Sequence, residues 1–149
     1  MVECEFPECT TFGSVIRFAL ELEKGAAAVY QELADNPGLS QAAESFRVLS
    51  AAHKKREELL EHTRREKLNE MILEPIHEID SSEYIIETKV PEGVDLKGAA
   101  EFASDIEAKS ARFYSDSSKV AQSLLAEAAR ILDRMGKENQ ANKEKLEAL

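Results

Sequence analysis

A chain of 149 residues with a formal charge of −10 and 43% hydrophobic residues is long enough to bury one core, and too acidic to neutralise a nucleic-acid backbone. No apolar run approaches the ~20 residues that a membrane-crossing helix needs, so neither nucleic acid nor membrane is expected as a partner. The leading residues MVECEFPECTTF hold neither a basic region nor an apolar stretch, which sets the expectation of no secretory signal and a cytoplasmic location.

Residues 1–10 read as an arm containing Pro7. It carries both cysteines, Cys4 and Cys9, and a C-x4-C spacing with no second pair and no nearby His suits neither zinc nor dithiol redox chemistry. Two free thiols are expected; an intermolecular disulfide or a shared metal is the alternative. Thr10 or Thr11 caps a first helix that runs to about Asp35, where Asn36-Pro37-Gly38 stops it. Gly25 beside Ala26, Ala27 and Ala28 makes a smooth patch suited to close approach of a neighbouring helix.

Ser40 caps the second helix, which runs through Phe46, Leu49, Ala52, Leu59 and Leu60 to about Ile72. Its basic clusters, Lys54-Lys55-Arg56 and Arg64-Arg65, are interleaved with Glu57, Glu58, Glu61 and Glu66 and read as a solvated face. Residues 73–94 break the helical pattern with Pro75, Pro91 and the β-branched run from Tyr84 to Thr88. They read as a long crossover with a short extended or helical piece, and His77 within it has a surface or packing role. Asp95 caps a third helix to about Ser117, and a fourth begins near Ser118 and continues through Leu124, Leu132 and Met135 to the last residues. Helices near 11–35, 39–72, 95–117 and 119–148 predict an all-α four-helix bundle of two helical hairpins joined by one long crossover.

The chain repeats itself. Shifted by 84 residues, Arg17–Tyr30 falls on Glu101–Tyr114, matching Phe18 with Phe102, Glu23 with Glu107, Ala27 with Ala111 and Tyr30 with Tyr114. The second and fourth helices match at an offset of 86, pairing Phe46 with Leu132, Leu49 with Met135, Ser50 with Gly136 and Leu60 with Leu146. The two offsets differ by two, so the two inter-helix loops are expected to differ by two residues. Glu23 and Glu107 each follow an apolar core residue and precede a Tyr by seven positions, about two turns, so Glu and Tyr share a face. A carboxylate beside the buried stripe of two helices requires partners, because burying it unpaired is costly.

With these residues placed, the chain resembles the rubrerythrin branch of the ferritin-like superfamily over roughly residues 11–149, without a rubredoxin domain. The family's first and third helices carry a Glu seven residues before an aromatic, as Glu23–Tyr30 and Glu107–Tyr114 do here. Its second and fourth helices carry F-x-x-L-A-x-x-E-x-x-H, whose Glu and His bind a di-iron centre. Here FRVLSAAHKKR has His53 at the Glu position and Arg56 at the His position, and the fourth helix has Asn139 and Asn142 in those places. Ser110 stands where the third helix often has a further carboxylate.

Three readings of this site stay open. In the first, an ion-pair network of Glu23, His53, Arg56, Glu107, Asn139 and Asn142, backed by Tyr30 and Tyr114, replaces the metal centre, because Asn supplies no charge and Arg is a permanent cation. In the second, Glu23, His53 and Glu107 hold a single Fe, Zn or Mn ion. In the third, the fourth helix slides by one residue and Glu138 joins the ligands. The corresponding functions are a non-catalytic oligomerisation or binding module with no cofactor, a non-haem metal oxidase or peroxidase, and a small-molecule binder using the interior near Gly25–Ala28 and Ser104. The resemblance and the Ala-rich faces imply a homodimer. No G-x-S-x-G elbow or phosphate loop points to other catalysis.

Overall fold

A computed structural model describes residues 4–67 and 73–149. It is all-helical, with α1 Phe12–Ala34, α2 Ala43–Lys67, α3 Leu96–Ala121 and α4 Ala126–Glu147, and no strand among the described residues. The expected end of the second helix at Ile72 lies outside the described residues. No helix of the described residues is long and apolar enough to cross a membrane.

Local chemistry accounts for most of the boundaries. Thr11 is the α1 N-cap, with its hydroxyl accepting from the Ser14 N–H at 3.1 Å while the Thr11 N–H donates to Ser14 Oγ at 2.9 Å. Asp95 caps α3 by accepting from the Gly98 N–H at 2.8 Å. Ser40, in contrast, does not cap α2. It sits in a 3-10 segment, Pro37–Ala42, opened by the Asn36 side chain accepting from the Gly38 N–H. Nor does α4 begin near Ser118. The third helix runs on to Ala121, and Ser118 is buried on it, donating to the Ala129 carbonyl of α4 at 2.7 Å. Against the repeat offsets, α3 ends three residues later than α1 and α4 starts three residues earlier than α2. The connection in the second half is therefore four residues, 122–125, against eight, 35–42, in the first; the loops do not differ by the expected two.

α1 packs along α2, and α3 along α4, with further contact between α1 and α3 and sparser contact between α2 and α4. One core fills the space between them. Phe18 stacks on Phe113 with ring centroids 4.8 Å apart, and Tyr30, Leu22, Phe46, Leu60, Ile106, Tyr114, Leu132 and Met135 are essentially inaccessible to solvent.

The internal repeat has a structural counterpart at the helix contacts. Ser50 donates to the Ala27 carbonyl at 2.9 Å where α2 crosses α1. At the matching position in the second half, Gly136 meets the Ala111 carbonyl, and a Cβ there would lie 3.3 Å from that oxygen and from Tyr114 Cβ. One repeat bridges the crossing with a hydroxyl; the other removes the side chain. Gly25 differs from the expectation. What lies over it is not a neighbouring helix but the arm and the crossover, through Cys4 Sγ, Thr88 Cγ2 and Ile86 Cδ1.

The segment between α2 and α3 is laid against the bundle. It pairs with the arm through one antiparallel bridge, with the Phe12 N–H donating to Glu74 O at 2.9 Å and the Ile76 N–H to Thr10 O at 3.0 Å. A single 3-10 turn, Ser81–Glu83, precedes Tyr84, whose hydroxyl donates to Asp116 at 2.7 Å and whose ring meets Phe113 edge-on. Arg112 donates to the Glu83 carbonyl and Lys109 to that of Ile85, so α3 holds the segment down by its backbone. His77 is exposed, Cys4 is half-buried, and Cys9 is in the core; both thiols are free.

Candidate functional site

At one level of the bundle, side chains from all four helices meet. Glu23 from α1, His53 and Arg56 from α2, Glu107 from α3 and Asn139 from α4 are all buried, with Asn142 half-buried at the edge. Helical periodicity puts each on the inward stripe, one residue from an apolar neighbour such as Leu22 or Ile106. The register without a slide of α4 is the one observed. Asn139 is fully buried and Glu138 is exposed, so Glu138 is not part of the cluster.

His53 lies between the two carboxylates. Its Nδ1 is 2.6 Å from Glu23 Oε1 and its Nε2 is 2.8 Å from Glu107 Oε2. An imidazole that meets an acceptor at both nitrogens must donate from both, which makes it an imidazolium. Burial pushes its pKa down, but Glu23 and Glu107 outweigh this and raise it to about 9. Arg56 Nη2 donates to Glu23 Oε2 at 3.0 Å and to Asn139 Oδ1 at 2.7 Å. Its guanidinium also lies over the Tyr114 ring, 5.3 Å from the centroid. Asn139 turns its amide N–H to Glu107 Oε1 at 2.9 Å, and Asn142 donates to the same oxygen at 3.2 Å.

The tyrosines complete the set crosswise. Glu23 shares a helix face with Tyr30, yet its phenol partner is Tyr114, which donates to Oε2 at 2.5 Å; Tyr30 donates to Glu107 Oε2 at 2.7 Å. Every carboxylate oxygen of the pair is thus hydrogen-bonded within the protein. Burial pushes both carboxyl pKa values up, but Arg56 and His53 at Glu23, and His53 with its neighbours at Glu107, hold them below the ordinary value. Burial and the facing carboxylates raise both phenols well above theirs. Two carboxylates, one imidazolium and one guanidinium sum to zero charge, which a low-dielectric interior tolerates far better than any net ion.

The residues expected in a network therefore all meet. The three named as ligands for a single ion, Glu23, His53 and Glu107, also meet, but both nitrogens of His53 are spent on the two carboxylates, whose remaining oxygens are taken by Arg56, Tyr114, Asn139 and Asn142. Among the described residues no group of three or more His, Cys, Asp or Glu is arranged to hold a metal ion. A di-iron centre does not fit this donor set, since Arg56 occupies a carboxylate face and the asparagines bring no charge. Gly25–Ala28 and Ser104 do not share an interior cavity: Ala27 and Ala28 line one surface groove and Ser104 another. Lys55, read from the sequence as part of a solvated face, gathers with Arg134 and Lys145, which the sequence did not single out, in a groove between α2 and α4; only the packing of those helices picks the three out of the charged surface. No protein-family model, curated protein or solved structure matches the chain.

Proposed function

We propose that the protein is a ferritin-like bundle related to rubrerythrins, two helical hairpins joined by a crossover, with an ion-pair network in place of a di-metal site. In this reading it works without catalysis, as a binding or oligomerisation module. One observation supports it above the rest: all four carboxylate oxygens of Glu23 and Glu107 are engaged by His53, Arg56, Asn139, Asn142 and the two phenols. Two metal ions held side by side need carboxylates free to bridge them and enough negative charge to offset them. Here the negative charge is already balanced.

Aerobic loading with Fe²⁺ followed by elemental analysis is expected to leave no stoichiometric iron and no iron-oxo absorption band. Two irons per chain would overturn the reading. One metal per chain, lost in His53→Ala, would favour the second reading, a non-haem oxidase or peroxidase with a single Fe, Zn or Mn on Glu23, His53 and Glu107. That reading draws on two buried carboxylates that both lie within hydrogen-bond distance of His53, and it needs His53 to release one of them.

The module is proposed to act as a homodimer. Leu73 and Ile85, 81% and 44% exposed, place apolar surface along the segment between α2 and α3 that a second copy can cover. Sedimentation velocity is expected to show a dimer, and a monomer throughout a broad concentration series would remove this part of the proposal.

A further inference from the structure

Outside the buried cluster, one groove concentrates positive charge on a strongly negative protein. It lies between α2 and α4, encloses about 560 Å³, and is lined by Lys55, Arg56, Arg134, Asn142 and Lys145 with Glu138 as its one acid. The chain as a whole carries −10, and with Arg56 balanced by Glu23, three cations, Lys55, Arg134 and Lys145, against one carboxylate is still a local reversal. Lys55, Arg134 and Lys145 enter none of the ion pairs formed by the described residues, although Lys137 and Lys143 on the same helix each pair with an acid one turn away. Behind them stands Arg56, its side chain only 8% exposed and its Nε and Nη1 hydrogens without a partner. Buried donors left unspent are costly, and although Glu23 balances the charge of this guanidinium, its two unpartnered nitrogens still lack an acceptor.

The groove continues. Lys145 also lines an adjoining depression of about 300 Å³ walled by Val48, Leu49, Leu146 and Leu149, with Ser45 and Glu44, the latter paired with Arg47 at 3.0 Å, at its edge. Val48 and Leu149 are 59% and 46% exposed, two of the few large apolar side chains left open to solvent among the described residues. Unpaired cations next to an uncovered apolar wall match a ligand with one charged end and one greasy end. We propose that this groove binds a small organic oxyanion, a carboxylate or phosphate carried on a short apolar chain, with the head among Lys55, Arg134 and Lys145 and the chain against Val48 and Leu149.

The test is titration calorimetry on the full chain at low salt with three probes: inorganic phosphate, acetate and hexanoate. Hexanoate is expected to bind saturably and about tenfold or more tighter than acetate, since its added methylenes leave water on binding. Phosphate binding tighter than acetate would assign the head group as a phosphate, and the reverse order a carboxylate. Arg134→Ala with Lys145→Ala should weaken hexanoate about tenfold or more, whereas Lys137→Ala with Lys143→Ala removes equal charge outside the groove and should change it by less than about twofold. Val48→Ser with Leu149→Ser should bring hexanoate down to the level of acetate. Absence of saturable hexanoate binding, or equal weakening by the two lysine-containing double variants, overturns the proposal.

Discussion

Arg56→Ala is expected to destabilise the protein by about 3–5 kcal/mol at neutral pH, because it leaves Glu23 buried without its guanidinium. The loss should depend on pH in a defined direction. With Arg56 gone, burial raises the Glu23 pKa in the folded state above its unfolded value, so the folded protein is penalised above about 4.5 and relieved below it. The cost is therefore largest at neutral pH and shrinks in mild acid as the carboxyl takes up a proton. Glu23→Gln combined with Arg56→Met should regain part of the stability, since both charges leave together. Urea melts of the single and double variants at pH 5 and pH 7 measure all of this. A change within about 0.5 kcal/mol at both pH values is what an exposed arginine gives, and it would mean that the network does not form.

The second large effect concerns His53 and runs the opposite way along the pH axis. Its folded pKa is raised from 6.5 to about 9, so its contribution is fully present below 6.5 and is lost as the pH climbs through 9. That rise corresponds to about 3 kcal/mol of stability disappearing between pH 6 and 9. Glu23 and Glu107 are shifted down, so their contribution is present above 4.5 and fades as the pH falls through their folded values. Stability should therefore peak between about 4.5 and 6.5, on the acid side of neutrality. Cys9, whose thiol burial pushes up to about 11, subtracts stability only above the ordinary thiol value of 9 and stays outside this window. His53→Gln is expected to be less stable at pH 6 and nearly flat from pH 6 to 9. Matching slopes for wild type and variant over that range would show that no buried imidazolium is being titrated.

Much of the arrangement could be read in advance from repetition. Glu23 and Glu107, separated by 84 residues in matching contexts, required a common environment, and the buried level that contains them is where His53, Arg56 and the asparagines also fall. What the sequence could not convey was which partner each group takes. Tyr30 and Tyr114 lie on the same faces as Glu23 and Glu107, yet bond to the opposite helix, because a side chain two turns along its own helix is farther away than one facing it across the core. Boundaries were harder for a different reason. Ser40 and Ser118 both have the chemistry of an N-cap, but Ser118 is used as a tie to the Ala129 carbonyl and Ser40 lies in a 3-10 turn, choices made by tertiary packing. The segment over Gly25 shows the same limit: a smooth patch announces a close neighbour without saying which element it is.

The crosswise phenols bind the two repeats into one cooperative unit. Each tyrosine completes the coordination of the other repeat's glutamate through bonds that span 77 and 91 residues of chain. Neither half therefore owns a complete interior. If one half opened, both carboxylates would lose a donor at once, and the half left standing would hold an acid it could not satisfy. Partial unfolding along the repeat boundary thus has no comfortable stopping point, and the penalty for a half-open state falls on both halves equally. Duplication alone would let a chain melt as two domains in sequence; the exchange of phenols ties this one instead to an all-or-none transition.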